Sequence, residues 1–118
     1  MSEDLSKYGN GYIALIHILR HPQWFKGSVL SITRFLKSKS SAEKHDMAVA
    51  MVTGRLVMDG ERASDIPQKI GQFSQPISTM SDQDLAQYIL KLGYNNLQML
   101  LRSYARYKVL STKMKRAS

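Results

Sequence analysis

The stretch from Ala42 to Met58 leaves few polar positions, with Ala48, Met51, Val52, Leu56 and Val57 apolar and Val49 and Ala50 beside them. A helix that is apolar nearly all round has no face to give to water, so it belongs at the centre of a helical domain or against another subunit. A central helix in turn requires amphipathic helices around it. The periodicity of the remaining chain supplies them and predicts an all-α fold, a compact single-domain bundle of about six helices. A chain of 118 residues has room for one core and not for two. Ser38-Lys39-Ser40-Ser41 reads as a polar linker before the central helix, with Ser41 as its N-cap, and Asp59-Gly60 stops it.

Upstream, Met1 to Asn10 is polar and Gly9-Asn10-Gly11 is a breaker, so residues 1–10 are expected to be flexible. A first helix is predicted over Tyr12 to Arg20, offering Ile13, Leu15, Ile16 and Leu19 for burial. His21-Pro22 ends it, because the residue before a proline avoids the α region. Trp24 and Phe25 follow; without an aromatic repeat they read as a core anchor beside helix ends rather than a base-stacking platform. A second helix over Ser28 to Lys37 places Val29, Ile32 and Leu36 on one side and Arg34 and Lys37 on the outside.

Charge is segregated along the chain. The net charge of +8 divides into +4 over residues 1–42, −3 over 43–84 and +7 over 85–118, and no acid follows Asp84. Two basic regions around an acidic middle favour a polyanionic partner. Charge alone does not choose among DNA, RNA and an acidic membrane.

The last third, Asp84 to Arg116, reads as two helices joined at one sharp point. Leu85, Ile89 and Leu92 have the spacing of a one-sided helix, and Gly93 can take a positive φ at its end. Tyr94-Asn95-Asn96 completes a turn, and an Asn there can cap the next helix. That helix carries Leu97, Leu100, Leu101 and Tyr104 on one face and Arg102, Arg106 and Lys113 on another. A short helix, a glycine turn and a basic second helix is the layout of a helix-turn-helix, whose second helix enters the major groove of duplex DNA. In this reading Arg102, Arg106, Lys108, Lys113, Lys115 and Arg116 engage phosphates, while Asn95, Asn96 and Gln98 stand nearest the bases. Residues 42–118 are then the core that contains the motif, and 111–118 a basic tail. The bland counterpart is an αα-hairpin with a merely solvated polar face.

A second candidate lies in Ala63 to Met80. Ile66 and Ile70 would face inward, Gly71 would turn, Ser74 would cap a following helix with Pro76 in its first turn, and Ile77 and Met80 would seat it. Gln75, Ser78 and Thr79 would then address base edges. Pro67 and the net charge of −3 over Asp59 to Asp84 count against this segment. The two glycines lie 22 residues apart, so two independent units would have to share a helix and only one is expected to be genuine.

On Leu85-Ala86, Gly93-Tyr94, Arg102, Tyr104 and Arg106, followed by Ser111 to Arg116, the stretch 84–116 resembles the second helix-turn-helix of the AraC/XylS family of transcription regulators. It differs from that pattern at Thr112, where the family has Pro, at Lys115, where it has an aromatic, and at Ile89, where a small residue is usual. A second resemblance, on Arg55-Leu56-Val57, Ala63-Ser64, Ile70-Gly71, Ile77, Met80-Ser81 and Leu85, is to FlhD-type activators. It implies an oligomer and a partner subunit.

No catalytic constellation assembles. There is no Cys, hence no thiol nucleophile or thiolate metal site, and no GxGxxG, Walker loop, HExxH or GxSxG occurs. His17 and His21 are spaced to face the same way without an evident third ligand, and His45 with Glu43 and Asp46 reads as a solvated helix start. No enzyme activity, metal or cofactor is expected. No leader pattern or membrane-length apolar run is present, which points to an intracellular, cytoplasmic protein without a membrane partner. The expectation is a small DNA-binding transcriptional regulator, acting on double-stranded DNA as a homo-oligomer, most simply a dimer, or with a partner subunit. The alternative is a helical assembly factor of viral or plasmid type that binds RNA or an acidic protein without reading sequence.

Overall fold

A computed structural model describes residues 8–21, 28–93 and 96–117 of the chain, the side chains only as far as Ser111. The described residues form six helices: α1 (Asn10–Arg20), α2 (Val29–Lys37), α3 (Ser41–Met58), α4 (Ile66–Ser78), α5 (Asp82–Gly93) and α6 (Leu97–Ala117). The chain is all-α, and no strand occurs among these residues.

Helix α3 is central, as its composition requires. It packs against α1, α4, α5 and above all α6, while α2 sits outside, on α5. Met47, Ala48, Ala50, Met51, Val52, Thr53 and Gly54 are buried along it, with Leu56 and Val57 half-buried. A second subunit is therefore not needed to cover the apolar surround of α3. Its start is fixed by a reciprocal pair: the Ser40 hydroxyl accepts from the Glu43 N–H at 3.2 Å, and the Glu43 carboxylate accepts from the Ser40 N–H at 3.4 Å. The cap is thus Ser40 and not Ser41, because only Ser40 places a carboxylate three residues on. At the other end Gly60 takes φ +86°, with Gly60 N–H on the Val57 carbonyl and Glu61 N–H on that of Leu56, which closes the helix as expected.

Two glycines inside helices set how closely the helices approach. A Cβ at Gly11 of α1 would run into the main chain at Asp46 and Met47 of α3, and one at Gly54 of α3 would run into the Leu100 carbonyl of α6. Gly11 is therefore a packing residue within α1 and not part of a breaker, and α1 begins at Asn10. The close approach also selects the buried face of α1, which is Tyr12, Ala14, Leu15 and Ile18 rather than the face containing Ile13.

The start of the described chain is anchored. Tyr8 is buried, its ring 4.7 Å from that of Tyr12, which stacks on Tyr104 at 5.8 Å. The Tyr104 hydroxyl donates to the Tyr8 carbonyl at 2.9 Å. The flexible start expected over 1–10 therefore does not reach Tyr8; residues 1–7 lie outside the described ones, as do Trp24 and Phe25.

Burial, reinforced by Asp46 and then Tyr107, pushes the Tyr104 phenol from 10.0 up to about 12. The folded protein thus holds this proton more tightly than the unfolded chain does. The resulting stabilisation is complete below pH 10 and is lost as pH rises from there towards 12. We expect a loss of about 1–2 kcal/mol across that window in urea titrations, the full shift being reduced by solvent screening. In Tyr104→Phe much of the decline should be gone; parallel profiles for the two proteins would remove this linkage.

Helix α4 overturns the second helix-turn-helix candidate. Gly71 lies inside one continuous helix from Ile66 to Ser78 and makes no turn. Ser74 is an interior residue that caps nothing, and Pro76 stands near the end of α4 instead of in a first turn. A lone glycine costs a helix only about 1 kcal/mol, which the burial of Ile66 and Ile77 at its two ends offsets. The carbonyl that Pro76 leaves without an N–H partner is that of Gln72, an exposed residue open to water. Nothing lies within 4 Å of a Cβ built at Gly71. Gly71→Ala should accordingly raise stability by about 0.5–1 kcal/mol. A loss of that size in the denaturation midpoint would put a turn back at this position.

Candidate nucleic-acid interface

Helix α5 begins earlier than its apolar spacing suggests, at Asp82. The Ser81 hydroxyl accepts from the Asp84 N–H at 3.1 Å, and Asp82 and Asp84 lie in the first turn, where carboxylates complement the helix dipole. Leu85, Ala86 and Ile89 are buried, and Gly93 ends the helix at φ +126°, as expected of it. Tyr94 and Asn95 lie outside the described residues, and Asn96 stands directly before α6. The two helices lean on different neighbours: α5 mainly on α2, α6 mainly on α3.

Leu97, Leu100, Leu101 and Tyr104 of α6 are buried, the face expected of them. At roughly 100° per residue, the side facing away from this row holds Arg102 and Arg106, with Gln98 and Met99 at the start of the helix and Val109 and Leu110 further on. All six are exposed. The side chains of Lys113, Lys115 and Arg116 lie outside the described ones. Arg102 and Arg106 thus share the outer face of the first half of α6, with Gln98 at its border, whereas Asn96, exposed just before the helix and two residues from Gln98, does not lie on that face. Lys108 does not join them. Two residues past Arg106, it lies on the inner side of the helix, half-buried, with its ammonium 5.9 Å from the centre of the Tyr104 ring.

Among the described residues no carboxylate comes within ion-pairing distance of Arg102 or Arg106. The acids of the middle segment are largely engaged where they stand. Glu43 meets Lys39 at 3.9 Å, Asp59 meets Arg55 at 3.4 Å, Glu61 pairs with Lys69, and Asp82 meets Lys44 at 2.8 Å. The segregation read along the chain therefore does not amount to an acidic surface facing a basic one. The exposed pairs contribute little to stability, while the half-buried Lys44–Asp82 bond joins α3 to α5.

Gln75, Ser78 and Thr79 are exposed, but they sit in the last turn and C-cap of α4. Recognition helices read bases from their N-terminal part, so these three do not have the placement that was expected of them. His45 is not merely solvated; its Nε2 lies 2.8 Å from the Ser74 hydroxyl and ties α3 to α4. His17 and His21 do face the same way, with ring centroids 4.7 Å apart, and no group of three His, Asp or Glu that could hold a metal ion occurs among the described residues. Among the described residues, no helix is long and apolar enough to cross a membrane.

Sequence reasoning passed over Met99, which is 57% exposed in the outer row, and Val109 and Leu110 beside it. The same helical spacing that grouped the arginines would have found them. Comparisons of the chain with protein-family models, with curated proteins and with solved structures give no match.

Proposed function

We propose that the protein is a small DNA-binding transcriptional regulator that presents α6 to the duplex. The observation that carries this reading is the outer row of α6, where Arg102 and Arg106 stand exposed without carboxylate partners among the described residues while the opposite row is locked into the core. Such a rigid cationic edge can track phosphates, and Asn96 and Gln98, at the start of the helix, have amide groups of the kind that pair with adenine edges. The glycine at φ +126° ahead of α6 and the resemblance of 84–116 to the AraC/XylS unit support a helix-turn-helix built from α5 and α6. Action as a dimer, or with a partner subunit, would place two such edges on successive half-sites.

The test is fluorescence anisotropy with a mixed-sequence DNA duplex and a single-stranded RNA, each titrated across salt. Tighter binding to the duplex with a steep negative salt slope is the expected result. Absence of binding to either at low salt would end the proposal.

The second reading, a non-enzymatic assembly factor that binds RNA or an acidic protein without reading sequence, draws on the exposed Met99, Val109 and Leu110 among the arginines. It predicts equal or tighter binding to the single strand.

A further inference from the structure

The first turn of α6 displays a side chain that a phosphate-tracking edge does not use. Met99 is 57% exposed, and among the described residues it belongs neither to the core nor to the half-buried hydrophobics packed on it. At roughly 100° per residue it points almost straight away from the buried row of Leu97, Leu100, Leu101 and Tyr104. Arg102 follows three residues later on the same side, and Gln98 borders it one helical turn before Arg102. A thioether has no proton to donate, so it offers nothing to a phosphate oxygen.

Met99 is not one end of a continuous apolar strip. Val109 and Leu110 lie about 15 Å further along the helix axis, with Arg102 and Arg106 between. The major groove of duplex DNA is about 12 Å wide. A helix entering it by its N-terminal part brings Gln98, Met99 and Arg102 to the bases and leaves Val109 and Leu110 outside.

One group on the floor of that groove is distinctly apolar, the C5 methyl of thymine, which uracil and cytosine lack. An unbranched, uncharged and polarisable methionine can adapt its shape to such a methyl. The neighbouring Gln98 carries the amide that pairs with N6 and N7 of adenine, the partner base of thymine. On the reading of α6 as the DNA-docking edge, on which this rests, we infer that Met99 reads the thymine methyl. The preferred nucleic acid is then duplex DNA with an A·T pair facing the start of α6.

The experiment is fluorescence anisotropy of the full chain with two duplexes of one mixed A·T sequence with G·C ends. The second carries uracil wherever the first carries thymine. The two share their hydrogen-bonding edges and phosphates and differ by methyl groups alone, and every register of the A·T stretch presents thymine. The thymine duplex is expected to bind about fourfold more tightly, the worth of one buried methyl-sized group. Met99→Gln should bind both duplexes equally and keep the parent's salt slope, because no phosphate contact is lost. Met99→Leu should keep most of the preference. The side chain stands outside the core, so both variants are expected to be as stable as the parent. Equal binding of the two duplexes by the parent, with a steep salt slope, would overturn this role of Met99 and leave the regulator reading standing. A thymine preference that survives Met99→Gln would belong to the shape of the duplex and would equally overturn it. Absence of binding to either duplex at low salt would overturn both.

Discussion

Gly54→Ala is expected to destabilise the protein by about 2–3 kcal/mol, although helix propensity alone would make it a gain of about 1 kcal/mol. The two effects differ in sign, and geometry decides between them. A methyl group at Gly54 meets the main-chain carbonyl of Leu100, which belongs to a helix and cannot rotate aside as a side chain would. Relief requires α6 to move away from α3, at the contact that also buries Leu97, Leu101 and Tyr104. Gly11→Ala should behave in the same way through the α1–α3 contact, whereas Gly71→Ala should move stability upward. Urea denaturation of the three variants checks this. A neutral or stabilising Gly54→Ala would mean that α3 and α6 lie further apart than they do here.

Removing Arg102 and Arg106 together should weaken duplex binding about 10- to 100-fold near 0.1 M salt. The slope of log affinity against log salt should fall in magnitude by about 1.8, since each phosphate contact contributes about 0.9. Both side chains are exposed on α6 and hold no ion pair among the described residues, so folding stability should change by less than about 0.5 kcal/mol. The informative control is Arg34→Ala/Lys37→Ala on α2, which removes the same charge from another exposed surface. If α6 is the docking edge, the α2 variant keeps most of the slope. Equal losses from the two double variants would mean that diffuse charge, and not α6, holds the duplex. An unchanged affinity in Arg102→Ala/Arg106→Ala would remove α6 from consideration.

The sequence by itself determined the fold class, the central place of α3 and the buried row of α6. Each follows from local periodicity, because a helix turns by a fixed angle and its apolar positions report the burial they require. It also determined the stops at Asp59-Gly60 and Gly93, where a positive φ follows a helix end and glycine meets it without steric cost.

The same local logic misread Gly11 and Gly71. A glycine in a sequence signals permissiveness, and whether that serves a turn, a close helix contact or nothing at all depends on what lies opposite. Only the tertiary structure showed Asp46 facing Gly11, Leu100 facing Gly54 and open space beside Gly71. It likewise separated Lys108 from the arginines. Lys108 stands two residues past Arg106, but the packing of α6 on α3 turns the one inward and leaves the other to solvent. A helical period places side chains relative to one another, while the neighbours that pack against the helix decide which of those directions is inside.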